Sequence, residues 1–232
     1  MTDFERGIME NVCYIVGAGD AAGTKITPEP GSLVIAADGG FSTLFSLGIK
    51  ADLIIGDFDS IGDVPKDGCV VSHPPEKDDT DMLLAVKEGL KLGYRVFSLL
   101  GGTGGRLDHT MANIQTLSFI AENGAIGFLC GGGAVVTALR DGKLIFTPGR
   151  HGFLSVFCVG DKAEGVFLRG LKYQLTDAEL TYSMPIGVSN EFTGSESSVE
   201  VRRGGLVVLW YENEFDPKNG EVILEHGDRD GN

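Results

Sequence analysis

Short apolar runs alternate with segments of helical periodicity through the first part of the chain. Each run has four or five residues and ends in a turn rich in Gly or Asp, a pattern typical of strands that are buried on both faces. The predicted strands are Val12–Val16, Leu33–Ala37, Asp52–Ile55, Cys69–Ser72, Val96–Leu100 and Ile126–Cys130.

Three helices are predicted between these strands. A short helix follows Gly40, a second starts at an N-cap on Asp79 and stops near Gly93, and a third stops at Gly124. The helical spacing is carried by Phe41, Leu44 and Phe45, then by Leu83, Val86 and Leu90, then by Met111, Ile114, Leu117 and Ala121. Strands that alternate with helices indicate a three-layer α/β domain with a mostly parallel sheet.

The helical period disappears after about residue 134, and short β-rich runs replace it. Asp141-Gly142, Gly160-Asp161 and Gly204-Gly205 are predicted to be turns between these runs, a spacing that favours an antiparallel β-sandwich. We therefore predict an α/β domain over 1–143 and a β-sandwich over 144–216. Residues 217–232 are predicted to be a polar tail, in which Val222–Leu224 offer one edge strand.

Composition and charge narrow the class of function. With 19 basic and 33 acidic residues the net charge is −14, which disfavours a nucleic-acid partner. No apolar run has the roughly 18 residues of a membrane helix, and the acidic N-terminus does not resemble a signal peptide. The four cysteines lack C-x-x-C spacing, so we expect buried thiols in a reducing cytoplasm.

Aspartates gather where the predicted strands end. Ligands bind at the carboxyl ends of strands in open α/β sheets, and clustered carboxylates repel one another unless a cation lies among them. Oxygen ligands without His or Cys favour Mg²⁺ or Mn²⁺. These aspartates are Asp38, Asp57, Asp59, Asp78, Asp79, Asp81 and Asp108. Any one of these aspartates, taken alone, is more typical of a turn residue or a helix N-cap than of a metal ligand.

The loop from Gly101 to Arg106 is the candidate phosphate site. It joins a strand to a helix, and in that position its backbone N–H groups and the helix N-terminus are able to face phosphate oxygens. Arg106 adds a guanidinium suited to phosphate, and His109 is the only histidine in a candidate site. The sequence therefore indicates a metal–phosphate enzyme, without indicating which phosphate chemistry it performs.

Six motifs resemble the thiamine pyrophosphokinase family. They follow the family's order and span residues from about 12 to 212: Ala37-Asp-Gly-Gly40, Gly56-Asp-Phe-Asp-Ser60, Lys77-Asp-Asp-Thr-Asp81, Gly105-Arg-Leu-Asp-His109, Asn113-Ile-Gln-Thr-Leu117 and Val188-Ser-Asn-Glu191. The resemblance implies an α/β domain followed by a β-sandwich, a homodimer, and a reaction in which ATP and thiamine give thiamine diphosphate and AMP.

The resemblance also implies residue roles. Asp57, Asp59, Asp78 and Asp81 match the catalytic carboxylates, the first three as Mg²⁺ ligands, although Asp79 competes with Asp78 for that place. The residues that match ATP contacts are Asp38, Gly102, Thr103, Arg106, Asp108, His109 and Gln115. Ser189 and Asn190 match a thiamine-binding segment, which in this family serves a site at the dimer interface.

Three questions stay open at this stage. The general base is either Asp57 or Asp81. Trp210, the only tryptophan, either stacks on thiamine or is a core aromatic. Rival functions are a pyrophosphokinase for another small alcohol, a metal-dependent phosphohydrolase, and a nucleotide-sensing module without catalysis.

Overall fold

The computed structural model describes residues 11–19, 21, 26–56, 69–72 and 79–227, with only the backbone described at 69–72. These residues form a mixed α/β fold around one large hydrogen-bonded sheet. The strands of the first half are β1 (Val12–Val16), β2 (Leu33–Ala37), β3 (Leu53–Gly56), β4 (Cys69–Ser72), β5 (Val96–Leu100) and β6 (Ile126–Gly131). The helices are α1 (Gly40–Ser46), α2 (Asp81–Lys91) and α3 (Leu107–Glu122).

The first half of the sheet is parallel and has β1 near its centre. The spatial order is β4-β3-β2-β1-β5-β6, and every neighbouring pair is parallel. The chain moves outward from β1 to β4, and α2 then carries it back to β5 on the other side of β1. The strand order therefore reverses between β1 and β5, which is where open α/β sheets bind ligands.

The second half is antiparallel and continues the same sheet. Its strands are β7 (Ala134–Phe146), β8 (Phe153–Arg169), β9 (Leu175–Thr181), β10 (Gly187–Glu191), β11 (Ser197–Tyr211) and β12 (Val222–His226). Because β7 pairs with β6 at its start and with β11 and β12 further on, it connects the two halves. The predicted mostly parallel sheet thus describes the first half only.

The long strands bend sharply, so that their two ends face each other. Trp210 pairs with Val135, and Phe146 lies 146 − 135 = 11 residues along β7 from that pair. A straight strand would separate those positions by about 36 Å, yet the rings of Phe146 and Trp210 have centroids 5.3 Å apart. The sheet therefore folds over its own aromatic core.

The bends lie at the positions that were predicted to be turns. At Asp141 and Gly204 φ is positive, the ladder of β11 is bulged between Val201 and Gly205, and the Gly204 amide donates to the Asp141 carboxylate over 2.8 Å. Bulges and glycines allow a strand to turn a corner while it keeps its partners. The predicted turns at 141–142, 160–161 and 204–205 are wrong, because each lies within one continuous strand.

Several other predictions change in detail. Thr80, not Asp79, caps α2, and Met111 is half-exposed while Asn113 and Thr116 of α3 are buried. Within the predicted polar tail, Pro217–Asn219 form a 3-10 helix, and β12 extends the predicted edge strand. Cys13, Cys130 and Cys158 are buried free thiols, as expected. Among the helices of the described residues, none is long and apolar enough to cross a membrane.

Candidate functional site

Two glycine-containing segments run side by side where the strand order reverses. The Gly17 amide donates to the Leu100 carbonyl and the Gly19 amide to the Gly101 carbonyl, each over 2.8 Å, so the β1–β5 pairing extends past the strand ends. A Cβ on Gly19 would lie 2.5 Å from the Gly101 oxygen and 3.0 Å from that of Thr103. This close approach of two backbones requires glycine and fixes the start of the 101–106 loop.

Asp38 lies beside these segments, directly after β2. Its φ of 52° is left-handed, a conformation that Asp tolerates better than most residues, and its amide donates to Ile55 over 2.9 Å. The next helix starts against β1, because a Cβ on Gly40 would collide with the Val16 carbonyl. Asp38, Gly56 and the 17–19 segment are thereby held at one edge of the sheet.

Asn113, a residue of one of the six motifs to which the sequence analysis assigned no role, holds the start of the glycine loop. Its buried side chain reaches back from α3, and Nδ2 donates to the Gly102 carbonyl over 2.8 Å. Gly102 is also tightly packed, since a Cβ there would lie 2.7 Å from Leu129. Contacts with α3 and β6 therefore fix the start of the glycine loop. The signal was present, because a polar residue occupies the apolar face of a predicted helix.

The charged residues after the loop surround the N-terminus of α3. Arg106 and Asp108 are exposed and form an ion pair through Nε–Oδ1 at 3.1 Å, and this hydrogen bond lowers the pKa of the Asp108 carboxyl. His109 and Gln115 are exposed on α3, and Thr103 is half-buried. Of the ATP-binding residues predicted after β5, four are thus exposed and only Gly102 is buried, and within the described residues Arg106 forms its ion pair with the exposed Asp108.

The predicted catalytic carboxylates are only partly within the described residues. Asp81 is the first residue of α2, and the next residue, Met82, packs against Gly17, so Asp81 lies at the same edge of the sheet. Asp79 instead forms an ion pair with Lys87 at 2.6 Å. Asp57, Asp59 and Asp78 lie outside the described residues. Within the described residues no three His, Cys, Asp or Glu side chains form a metal-ligand group.

Ser189 and Asn190 lie on β10, at the far end of the sheet. Asn190 is buried: Oδ1 accepts the Tyr173 amide over 2.9 Å, and Nδ2 donates to the Tyr173 carbonyl over 2.6 Å. Ser189 is exposed with φ of 59°, and its amide donates to the Ser155 hydroxyl over 3.1 Å. Asn190 therefore holds the backbone of Tyr173, whose side chain is exposed.

Trp210 is a core residue, and the prediction that it offers a ring face to thiamine is wrong for this structure. The side chain is 0% exposed and packs edge-on against Phe128, Phe146 and Phe215. Its indole N–H donates to Glu212 over 2.7 Å, so its polar atom is satisfied as well. A ligand would reach the ring only by displacing this aromatic cluster.

Comparison with known proteins identifies both halves of the chain. The family model described as "Thiamin pyrophosphokinase, catalytic domain" matches residues 29–126, and "Thiamin pyrophosphokinase, vitamin B1 binding domain" matches 145–206. The two matches together span more than half of the chain.

Relatives and solved structures agree with these matches. Thiamine pyrophosphokinase of Bacillus subtilis is 27% identical over 193 residues, which cover 77% of this chain and 86% of that protein. Thiamin pyrophosphokinase 1 of Caenorhabditis elegans is 28% identical over 157 residues, 62% of this chain and 63% of that protein. A crystal structure of the Bacillus subtilis enzyme superposes with a TM-score of 0.79 at 26% identity, covering 87% of this chain and 99% of that one. The chain therefore belongs to the thiamin pyrophosphokinase family, enzymes whose reaction is the ATP-dependent transfer of diphosphate to thiamine.

Proposed function

We propose that this chain transfers the diphosphate of ATP to the hydroxyl of thiamine and releases AMP. One observation carries the proposal: at the switch point of the sheet, the Gly17–Gly19 segment is locked against the 101–106 loop, which leads into the N-terminus of α3. Exposed backbone amides and a helix N-terminus suit a polyphosphate. Attack by the thiamine hydroxyl on the β-phosphorus, opposite the departing AMP, requires the two substrates to be aligned there.

The ATP contacts divide between backbone and side chain. Gly102 and Thr103 belong to the loop that receives phosphate, and Arg106 binds a phosphate through its guanidinium. The ion pair with Asp108 orients that arginine. Asp38, His109 and Gln115 surround the same region and complete the proposed nucleotide site.

The proposed magnesium ligands are the carboxylates of Asp57, Asp59 and Asp78. In the sequence, Asp57 directly follows Gly56, the last residue of β3. A set of carboxylates without His or Cys fits Mg²⁺. When bound, the ion supplies charge neutralisation for the transferred phosphates. Asp57 or Asp81 accepts the proton of the thiamine hydroxyl.

The thiamine site combines Ser189, Asn190 and, in place of the buried Trp210, Tyr173. Tyr173 has an exposed ring, and the two hydrogen bonds from Asn190 hold its backbone in position. An aromatic face attracts a cationic ring such as that of thiamine. Asn190 is thus a positioning residue, and Tyr173 makes the contact.

We propose that the enzyme is a homodimer in which each active site uses both protomers. The path from β10 to β5 crosses β8, β11, β7 and β6, which is about 24 Å along the curved sheet at 4.8 Å per step. Beside Ser189, four apolar side chains are exposed in alternation: Tyr182, Met184, Ile186 and Val188. The first three lie in the connection between β9 and β10, and Val188 lies on β10. A group of exposed apolar side chains of this kind is typical of an interface. The partner's β10 would bring a thiamine site to the nucleotide edge.

The division of labour that we propose follows the predicted domains. Residues 1–143 bind ATP, and residues 144–216, acting as a β-sandwich, bind thiamine, although β7 runs across this boundary. The buried thiols of Cys13, Cys130 and Cys158 suit the reducing cytoplasm, which is the proposed location.

Product analysis tests the reaction. The protein is incubated with ATP, Mg²⁺ and thiamine, and the products are separated by chromatography. Equal amounts of thiamine diphosphate and AMP are expected. Thiamine monophosphate with ADP would refute diphosphate transfer, turnover with another alcohol alone would refute thiamine as substrate, and phosphate release without thiamine would indicate a phosphohydrolase.

Two variants test the assigned groups. Arg106→Ala is expected to raise the KM for ATP at least roughly tenfold, the value of one charge-assisted hydrogen bond. The control Arg169→Ala removes an exposed arginine that pairs with Glu200 and is expected to leave KM unchanged. If the two variants have the same KM for ATP, the assignment of Arg106 to the ATP site is refuted.

The oligomeric state is tested by light scattering. The wild-type chain of 24.6 kDa is expected to elute at twice that mass. Ile186→Asp is expected to elute as a monomer without activity, whereas Leu92→Asp, at a comparably exposed leucine on α2, stays dimeric. A monomeric wild-type enzyme with full activity would refute the shared site.

A further inference from the structure

A lysine side chain lies between the exposed ring of Tyr173 and a carboxylate. The ammonium of Lys172 is 5.4 Å from the centroid of the Tyr173 ring and donates to Glu191 Oε1 over 2.6 Å. The hydrogen bond to Glu191 also raises the pKa of Lys172, so the lysine is charged at neutral pH. We call the space between the Tyr173 ring and the Glu191 carboxylate the cation site. Neither Glu191 nor Lys172 has a role in the proposed thiamine site.

The buried Asn190 holds the backbone on both sides of the cation site. Its Oδ1 accepts the Tyr173 amide and the Glu191 amide, each over 2.9 Å, and its Nδ2 donates to the Tyr173 carbonyl over 2.6 Å. The Lys172 amide donates to the Glu191 carbonyl over 3.0 Å. These hydrogen bonds do not use the lysine side chain. The ring and the carboxylate therefore keep their backbone positions when the ammonium leaves.

The two segments that carry Tyr173 and Glu191 are also anchored in the core. Leu171 and Phe192 form an antiparallel bridge, and both side chains are buried. The Thr193 hydroxyl donates to the Gly170 carbonyl over 2.7 Å. A site whose backbone is fixed before the ligand arrives loses little freedom when the ligand binds. The cation site is therefore preorganised.

Lys172 itself is weakly held in this site. The side chains of Lys172 and Glu191 are 49% and 37% exposed, and exposed ion pairs contribute little because water also solvates the separated charges. An aromatic face beside a carboxylate attracts any cation, and a flat cationic ring covers an aromatic face more fully than an ammonium does. Thiamine carries such a ring, the thiazolium, whose positive charge is permanent. It is therefore a suitable competitor for the lysine.

We propose that the thiazolium of thiamine takes the place of the Lys172 ammonium between the Tyr173 ring and the Glu191 carboxylate. The proposal rests on the proposed function, which assigns thiamine to Tyr173. Glu191 supplies the negative charge that faces the bound thiazolium, and Lys172 moves into solvent. Because lysine and thiamine compete for one site, loss of the lysine strengthens thiamine binding and loss of the carboxylate weakens it.

Isothermal titration calorimetry tests this competition. Thiamine is titrated into the protein with Mg²⁺ and α,β-methylene-ATP, in which carbon replaces the bridging oxygen of the bond that the reaction breaks, so no turnover occurs. Lys172→Ala is expected to lower the Kd for thiamine roughly two- to fivefold. Glu191→Gln, added to Lys172→Ala, is expected to raise that Kd roughly two- to fivefold. In the wild-type background its effect is expected to be smaller, because Lys172 loses its partner as well. An unchanged or higher Kd in Lys172→Ala would overturn the proposal.

Lys162 and Glu164 on β8 provide matched control variants. They form an ion pair at the same distance of 2.6 Å, with side chains 51% and 36% exposed. Lys162→Ala and Glu164→Gln change the net charge by the same amounts as the test variants and are expected to leave the Kd for thiamine unchanged. Equal effects at the two pairs would reduce the result to net charge and would overturn the cation site.

Product analysis separates failure of the cation site from failure of the proposed function. A wild-type chain that forms thiamine diphosphate and AMP, while all variants bind thiamine equally, overturns the cation site and keeps the function. A wild-type chain that neither binds nor converts thiamine refutes the proposed function and the cation site with it. The four substituted side chains are all more than a third exposed, so the variants are expected to keep the melting temperature and the KM for ATP of the wild type.

Discussion

Gly101→Ala tests whether the two backbones at the switch point are as close as the structure shows. At Gly101, φ is +63°, and a Cβ would lie 2.6 Å from the Gly17 oxygen and 3.0 Å from that of Gly19. Both neighbours are backbone atoms, so no side chain can rotate away. The substitution therefore combines a left-handed alanine with a clash that must move one of the two segments.

Gly105→Ala is the matched control, because it separates strain from crowding. Gly105 lies in the same loop with φ of +87°, and a Cβ there would have no atom within 4 Å. A left-handed alanine costs about 1–2 kcal/mol, which applies to both variants. Crowding of a packed site adds about 1–3 kcal/mol. We therefore expect the free energy of unfolding to fall by about 1–2 kcal/mol in Gly105→Ala and by about 2–5 kcal/mol in Gly101→Ala.

Urea unfolding at equilibrium, followed by tryptophan fluorescence, measures both changes. The signal is well placed, because the only tryptophan lies in the core cluster that joins the two halves. Gly101→Ala is also expected to raise the KM for ATP, since displacement of Gly17 or Gly19 shifts the loop that follows. If the two variants lose the same stability, the backbones are not in contact and the argument for a preformed phosphate loop fails.

Three further predictions concern buried groups. Asn113→Ala leaves the Gly102 carbonyl without its donor, so the free energy of unfolding is expected to fall by about 1–3 kcal/mol. The KM for ATP is expected to rise. A KM for ATP equal to that of the wild type would show that the loop does not depend on its hydrogen bond to α3. Trp210→Ala is expected to cost about 3–5 kcal/mol in urea unfolding, and a KM for thiamine that rises without a loss of stability would restore a binding role. Burial raises the pKa of the Cys130 thiol to about 12 and also raises that of Cys13. Because the reactive thiolate is therefore scarce at pH 8, we expect iodoacetamide to alkylate both residues only after the protein unfolds. Mass spectrometry measures this alkylation.

The sequence predicts the strands of the first half well, and the reason is burial on both faces. All five residues of β1, of β2 and of β5 are buried, so their composition is almost entirely apolar, with Ser98 as an exception. The ends of these strands coincide with the change to glycine and aspartate. The site could be placed at the edge of the sheet for the same reason. A strand that is buried on both faces leaves no position for polar functional side chains. These side chains therefore lie in the segments that come directly after the strands.

The second half was predicted less well, because the sequence does not distinguish a turn from a corner. Asp141, Gly160 and Gly204 have positive φ, which is what a hairpin turn also requires. Only the pairing on both sides of each position, which is a long-range property, shows that the strand continues. The sequence left the place of Trp210 open for a related reason: its burial depends on Phe146, which a sharp bend brings from the other end of β7.

The abundance of glycine at the site has two distinct causes, and only one of them points to a ligand. Gly17, Gly19 and Gly101 are required by contact between backbones, so they would be needed even if nothing were bound. Gly105 has no such neighbour: it is left-handed, exposed, and faces open space immediately before Arg106. The φ of +87° by itself favours glycine at this position. We propose that the open space at Gly105 also lets a phosphate approach the backbone, whereas the first three glycines fix the shape of the site.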